Sequence, residues 1–165
     1  MTVGIESETP RDMPGTTDLA LLRAELMSFL TALWYDIDHN GGGAAATFFT
    51  PDAELRFSDA VFRGTAEIER VYSNRSARGP RVSRHLVTNL HLLEVEATRI
   101  RAVSVLLLFG QDGDAPRPST SPALVGDVSD EFELRDGRWL IRSRWIQNRF
   151  IKPTTDLAVP QESNQ

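Results

Sequence analysis

The sequence predicts an α+β domain in which helices come first and long antiparallel strands follow. Three observations carry this expectation. Leu19, Leu22, Leu26, Phe29, Leu33 and Ile37 recur every three to four residues, the period of one buried helical face. From residue 84 onward the pattern changes to strand-length runs with alternation. Asp136-Gly137 separates the last two runs, and Asp-Gly is a strong signal for a two-residue hairpin turn.

The elements follow in order. Residues 1–16 contain Pro10 and Pro14 among polar residues and read as a loose N-terminal arm. The domain proper spans 17–151. Thr17 or Asp18 caps the first helix, which ends at Asp38-His39-Asn40 before Gly41, Gly42 and Gly43. Residues 44–49 suggest a second, short helix closed by a Pro51-Asp52 turn, and 53–57 a short strand. A third helix starts at Gly64-Thr65 with Ile68, Val71 and Tyr72 inward. Strands are expected over 84–96, 100–110, 124–135 and 138–151, with 111–123 as a Pro-rich flexible loop. Residues 152–165 form an irregular tail. A strongly bent sheet wrapped around the long helix would enclose a pocket.

Composition bounds the function. The chain has 165 residues, one domain's worth, with 41% hydrophobic and 25% charged residues, so it can bury a proper core. The net charge of −5 disfavours a general nucleic-acid binder. The absence of cysteine excludes disulfides, thiolate metal sites and a cysteine nucleophile, and it fits a cytoplasmic location. No apolar run has the length of a membrane span, and the start of the chain lacks the pattern of a secretory signal.

Three positions could carry chemistry. Alternation along 84–96 puts His85, Val87 and Asn89 on one face of a strand. Histidine is suited to proton transfer near neutral pH, although a hydrogen-bonded core histidine gives the same pattern. Asp38 ends the first helix, where the helix dipole opposes a carboxylate and a cationic neighbour would relieve it. A solvated Asp in a turn is the alternative. Asp130 shares its parity with Val128, Phe132 and Leu134 and so points to the apolar side. It is either a pocket residue or a group bonded to an arginine.

On the last strand, Trp139, Ile141, Ser143, Trp145 and Gln147 share a face that could line a pocket, a core or an interface. Arg75, Arg78, Arg81 and Arg84 could bind an anion or form a solvated edge. The three histidines, 39, 85 and 91, lack a zinc spacing, and Gly41 to Gly43 lack the sequel of a phosphate loop.

Taken together, several fragments resemble the SnoaL-like branch of the NTF2-like superfamily over roughly residues 17–151. They are Trp34-Tyr35-Asp36-Ile37-Asp38, Phe49-Thr50-Pro51-Asp52-Ala53, Phe62-Arg63-Gly64, the 84–90 segment Arg-His-Leu-Val-Thr-Asn-Leu and Arg135-Asp136-Gly137-Arg138-Trp139. Scytalone dehydratase, bile-acid dehydratase and hexachlorocyclohexane dehydrochlorinase are similar members. The resemblance implies a cone: a strongly curved, mostly antiparallel sheet around a long N-terminal helix and two shorter helices. It implies a cofactor-independent, metal-free lyase, isomerase or cyclase acting on a small hydrophobic, perhaps polycyclic substrate. The resemblance implies His85 as general base with Asp38 orienting it; beside it, Trp34, Tyr35, Asn89, Asp130 and Trp145 are expected around the substrate. Leu33 stands where the bile-acid dehydratase has a pocket tyrosine, and Leu106-Leu107-Leu108 where it has a strand carboxylate. The same resemblance admits a non-catalytic small subunit of an aromatic-ring-hydroxylating dioxygenase, or a hydrophobic-ligand-binding protein. It also implies a homodimer or homotrimer; charge and hydropathy lead to the expectation of no nucleic-acid or membrane partner.

Overall fold

The computed structural model describes residues 16–58 and 60–153, with side chains from Asp18 onward. The arm expected for 1–16, apart from Thr16, and the tail beyond 153 lie outside the described residues. The elements run α1 (Thr16–Asn40), a short 3-10 turn (Ala45–Phe48), β1 (Phe49–Phe57), β2 (Ala60–Arg63), α2 (Gly64–Ser76), β3 (Arg81–Val95), β4 (Arg99–Asp112), β5 (Leu124–Arg135) and β6 (Arg138–Ile151). The strands form one six-stranded sheet in the order β2-β1-β6-β5-β4-β3. All neighbours are antiparallel except β1 and β6, which pair in parallel. This is the expected α+β architecture, an open sheet with helices against one face.

The apolar stripe of α1 drives that packing. Leu26, Leu30 and Leu33 are fully buried, and Leu22, Phe29 and Ile37 are partly so. Burying one such leucine is worth about 1.5–3 kcal/mol. They meet Leu55, Ile100, Phe132 and Ile141 of the sheet and Ile68 and Tyr72 of α2. A second cluster, Trp34 with Leu106, Val128 and Ile146, lies at the C-terminal end of α1.

That end of α1 is set by glycines. Gly41 (φ 66°) and Gly42 (φ 75°) adopt the left-handed conformation, and Gly42 N–H donates to the Asp36 carbonyl at 3.1 Å. The buried Asp36 side chain accepts from Ala44 N–H at 2.9 Å and from Asn40 Nδ2 at 3.2 Å. A Cβ on Gly42 would stand 2.9 Å from the Cβ of Tyr72, so a glycine here lets α2 bring Tyr72 close.

The Asp136-Gly137 hairpin forms as expected, with φ 51° and 74° and Arg135 paired to Arg138. Elsewhere the sheet departs from simple alternation. Pro51-Asp52 does not close a turn; it lies inside β1, where the register to β6 shifts. Between Thr88 and His91 of β3 one extra residue is accommodated, and Asn89 (φ 55°) takes the strain. On β6, pairing runs from Phe132–Ile141 to Glu131–Ser143, which leaves Arg142 as a bulge. Beyond each bulge the side chains change faces.

The flexible loop expected over 111–123 is shorter, because β4 runs to Asp112, and the remaining connection, 113–123, is tied at several points. Gly113 N–H donates to the Pro80 carbonyl, Gln111 Nε2 to the Pro118 carbonyl and Ala123 N–H to the Leu108 carbonyl. Among the described residues, no helix is long and apolar enough to cross a membrane.

Candidate active site

The two ends of the sequence pattern singled out at Asp38 and His85 meet. Asp38 Oδ1 lies 2.6 Å from His85 Nδ1, and Oδ2 accepts the His85 backbone N–H at 2.8 Å. Ser83 Oγ donates to Oδ1 at 2.7 Å. The helix end and the strand start are thus joined by three hydrogen bonds to one carboxylate. The two side chains are 6% and 12% exposed, so the pair is shielded from bulk water. Burial pushes the Asp38 carboxyl upward, but the hydrogen bond and charge of His85, with the Ser83 hydroxyl and the backbone N–H, outweigh it. Its pKa falls below the ordinary aspartate value. An ionised Asp38 takes the Nδ1–H of His85 and leaves Nε2 as the ring's basic atom.

Trp34, one turn before Asp38, stacks on the His85 ring with centroids 4.3 Å apart and planes 13° from parallel. The Cζ of Arg144 lies 5.5 Å from the centre of the same indole. Trp34 therefore touches both the dyad and a second charged pair.

That pair joins β5 and β6. Asp130 is buried, as its parity predicted, and accepts from Arg144 Nε at 2.7 Å and Nη2 at 2.9 Å. Arg144 is fully buried. Burial alone would lower its pKa, but Asp130 outweighs that and keeps the guanidinium charged. Its Nη1 is buried without a hydrogen-bond partner among the described residues. Tyr72 lies within the electrostatic reach of this pair. Burial raises its phenol to about 12, with Arg144 opposing and Asp130 and Asp36 adding to the rise, so it is neutral at physiological pH.

Arg144 and Tyr72 were not singled out in the sequence as site residues. Counting back from the hairpin places Ser143 opposite Asp130; the bulge at Arg142 brings Arg144 there instead. Tyr72 was expected inward, but its neighbours depend on the glycine turn.

The remaining candidates fall elsewhere. Asn89 is exposed in the β3 bulge and does not share the His85 face, which continues through Val87 and Leu90. Trp145 is turned away by the Arg142 bulge. It lies on the outer face under Arg56, with Nε1 donating to the Ser58 carbonyl at 3.3 Å. Tyr35 is 60% exposed and stacks on His39 rather than on the dyad. No group of three His, Cys, Asp or Glu side chains placed to hold a metal occurs among the described residues.

This geometry and fold define a class. The chain belongs to the SnoaL-like domain family, whose sequence model matches residues 18–145. The fold is that of the NTF2-like, cystatin-like α+β proteins. ActVI-ORFA of Streptomyces coelicolor is similar at 25% identity, covering 81% of this chain and 99% of its own, with a TM-score of 0.70. A protein of Novosphingobium aromaticivorans provisionally named a scytalone dehydratase is similar at 19% identity, over 82% of this chain and 89% of its own, TM-score 0.69. So is a protein of the same organism provisionally named the beta subunit of an aromatic-ring-hydroxylating dioxygenase, at 15% identity, 81% and 93% coverage and TM-score 0.70. The last two likenesses concern the fold alone. No curated protein matches the sequence.

Proposed function

We propose that the protein is a cofactor-independent enzyme that moves a proton on a small hydrophobic substrate, as a lyase, isomerase or cyclase. The observation that carries this reading is the double hold of Asp38 on His85 in a shielded position. In it, His85 Nε2 removes a proton from a carbon acid. The imidazolium that forms is stabilised by Asp38, whose negative charge is already held in place. Trp34 fixes the plane of the imidazole.

A carbanion formed next to a carbonyl places negative charge on oxygen. Arg144, held against the Trp34 indole and aimed by Asp130, keeps a buried positive charge near the dyad that favours such charge build-up. Val87, Leu106, Val128 and Ile146, packed around Trp34, supply the apolar surroundings that strengthen both interactions. Return of the proton elsewhere gives isomerisation. Loss of a β-substituent gives elimination, and attack of the carbanion on a second carbonyl gives cyclisation. In this reading the chain works as a homodimer or homotrimer, with Leu86 and Leu93 of β3 and Phe150 of β6, all exposed, in the contact between copies.

The test is turnover of a panel of cyclic ketones and β-hydroxy ketones by the isolated chain, read by exchange of substrate C–H for deuterium from solvent. The wild type is expected to exchange, and His85→Ala and Asp38→Asn to lose exchange while retaining their folded circular dichroism. Full exchange in either variant, or none by the wild type beside tight binding, overturns it in favour of a binding or accessory-subunit role.

A further inference from the structure

A cleft of about 460 Å³ lies where the start of β3, the end of β4 and the 113–123 connection meet, and neither Asp38 nor His85 lines it. Its lining includes Arg81, Arg117 and Lys152 against one acid, Asp112, with the hydroxyl residues Ser119 and Thr120. The volume falls in the range of roughly 300–1,000 Å³ typical of ligand sites.

The cationic character is built in. Asp112 accepts from Arg81 Nη1 at 2.9 Å and also from Arg75 Nη2 at 2.7 Å, so a single carboxylate is shared by two guanidinium groups. Burial raises the Asp112 carboxyl, but Arg81, Arg75 and Arg78 together hold it below its ordinary value. Lys152, the sole lysine of the chain, donates to Thr120 Oγ1 at 3.1 Å, and its backbone N–H bonds the Ala123 carbonyl at 2.9 Å. The 113–123 connection is thereby held as one wall. Counting the lining side chains alone, three cations face one anion.

The cleft also has a direction. Arg81, Ser83 and His85 alternate onto the same face of β3, and opposite them on β4 stand Asp112, Gly110 and Leu108. The Arg81 guanidinium folds back over Gly110, where any Cβ would come within 2.5 Å of Nη2. Gly110 pairs with Ser83, two residues from His85, or about 7 Å along the strand.

We propose that this cleft binds the phosphate group of a phosphate-bearing ligand. A phosphate monoester carries close to two negative charges at neutral pH, which matches the lining's surplus of two cations. Arginine and lysine with hydroxyl donors suit its oxygens better than those of a single carboxylate.

The experiment is a titration of the full ¹⁵N-labelled chain with inorganic phosphate at constant ionic strength. Sodium acetate forms the comparison arm, since bulk screening alone would act on both. Wild type is expected to show saturable shifts at Gly110–Asp112 and 119–123, with acetate binding weaker. Arg117→Gln with Lys152→Gln, both at exposed positions, is expected to weaken phosphate about tenfold. Each single variant should fall between. His85→Ala is expected to bind phosphate as the wild type does, which separates this site from the fate of the dyad. No saturable shift, shifts confined to other residues, affinity unchanged in the double variant, or acetate binding as tightly as phosphate would each overturn the proposal.

Discussion

Asp38 holds His85 at two points at once, its ring Nδ1 through Oδ1 and its backbone N–H through Oδ2. A single bond would let the imidazole rotate. Two bonds on one carboxylate tie the ring to the strand that carries it, and the Trp34 indole covers the ring's face. Position and plane of the imidazole are fixed by groups from α1 and β3 alone.

Acid should release this hold in a defined direction. Asp38 has a folded pKa below its unfolded value, so the stability it contributes is present above the ordinary carboxylate pKa and is lost as pH falls through the folded value. The expected result is a stability gap between wild type and Asp38→Asn that is full at neutral pH and narrows below about pH 4. Urea unfolding at several pH values measures it, and a gap that widens on acidification contradicts it.

Trp34 contributes a stacking contact of about 0.5–1.5 kcal/mol beyond its buried area. Trp34→Leu should therefore destabilise the fold modestly and impair proton transfer more than substrate binding. A kcat/KM loss carried by KM alone would assign Trp34 to substrate binding instead.

Breaking the buried pair from one side should be costly. Arg144→Met leaves Asp130 buried without its bidentate partner, and about 3–5 kcal/mol of stability should go. Replacing both, as Asp130→Leu with Arg144→Met, should recover most of that stability. The recovered protein should still lack activity if the guanidinium charge supports proton transfer at the dyad. Recovery of activity with stability would reduce the pair to a structural role.

Tyr72 should resist ionisation. In Tyr35→Phe it becomes the sole tyrosine, and its phenolate absorbance should appear near pH 12. Because the folded pKa lies above the unfolded one, stability should fall as pH rises through 10 toward 12. A midpoint near 10 in folded protein would contradict the burial of its hydroxyl.

Gly42→Ala combines a φ of 75° with a Cβ 2.9 Å from Tyr72. A loss of about 1–3 kcal/mol is expected by thermal or urea unfolding. An unchanged stability would mean that α2 shifts freely.

The long elements were legible because their periods are strong. The α1 stripe, α2, β5 and β6 all stand where apolar spacing places them, and Asp-Gly marks its hairpin. β2, only four residues long, offers too short a pattern, and Pro51 disguises the start of β1. In the site, His85 and Asp130 lie before any bulge that affects their face, so alternation gives their inward direction; the pairing of Asp38 with His85 is implied by the family resemblance, since position alone equally allows a solvated Asp in a turn. Asn89 and Trp145 lie at or beyond a bulge, where one added residue reverses inside and outside. The same reversal hid Arg144, whose neighbours in sequence suggest an outward-facing strand position. Nothing local in a sequence announces such an insertion unless a glycine marks it, and neither Asn89 nor Arg142 is one.

The hold of Asp38 on the imidazole can be read directly, without a substrate, from long-range ¹H–¹⁵N correlations of the His85 ring at mildly alkaline pH. The expected spectrum has the proton on Nδ1 and a bare Nε2, changing to a tautomer mixture in Asp38→Asn. A ring protonated on Nε2 in the wild type, or one indifferent to the Asp38 substitution, contradicts the assignment of His85 as a base poised by Asp38.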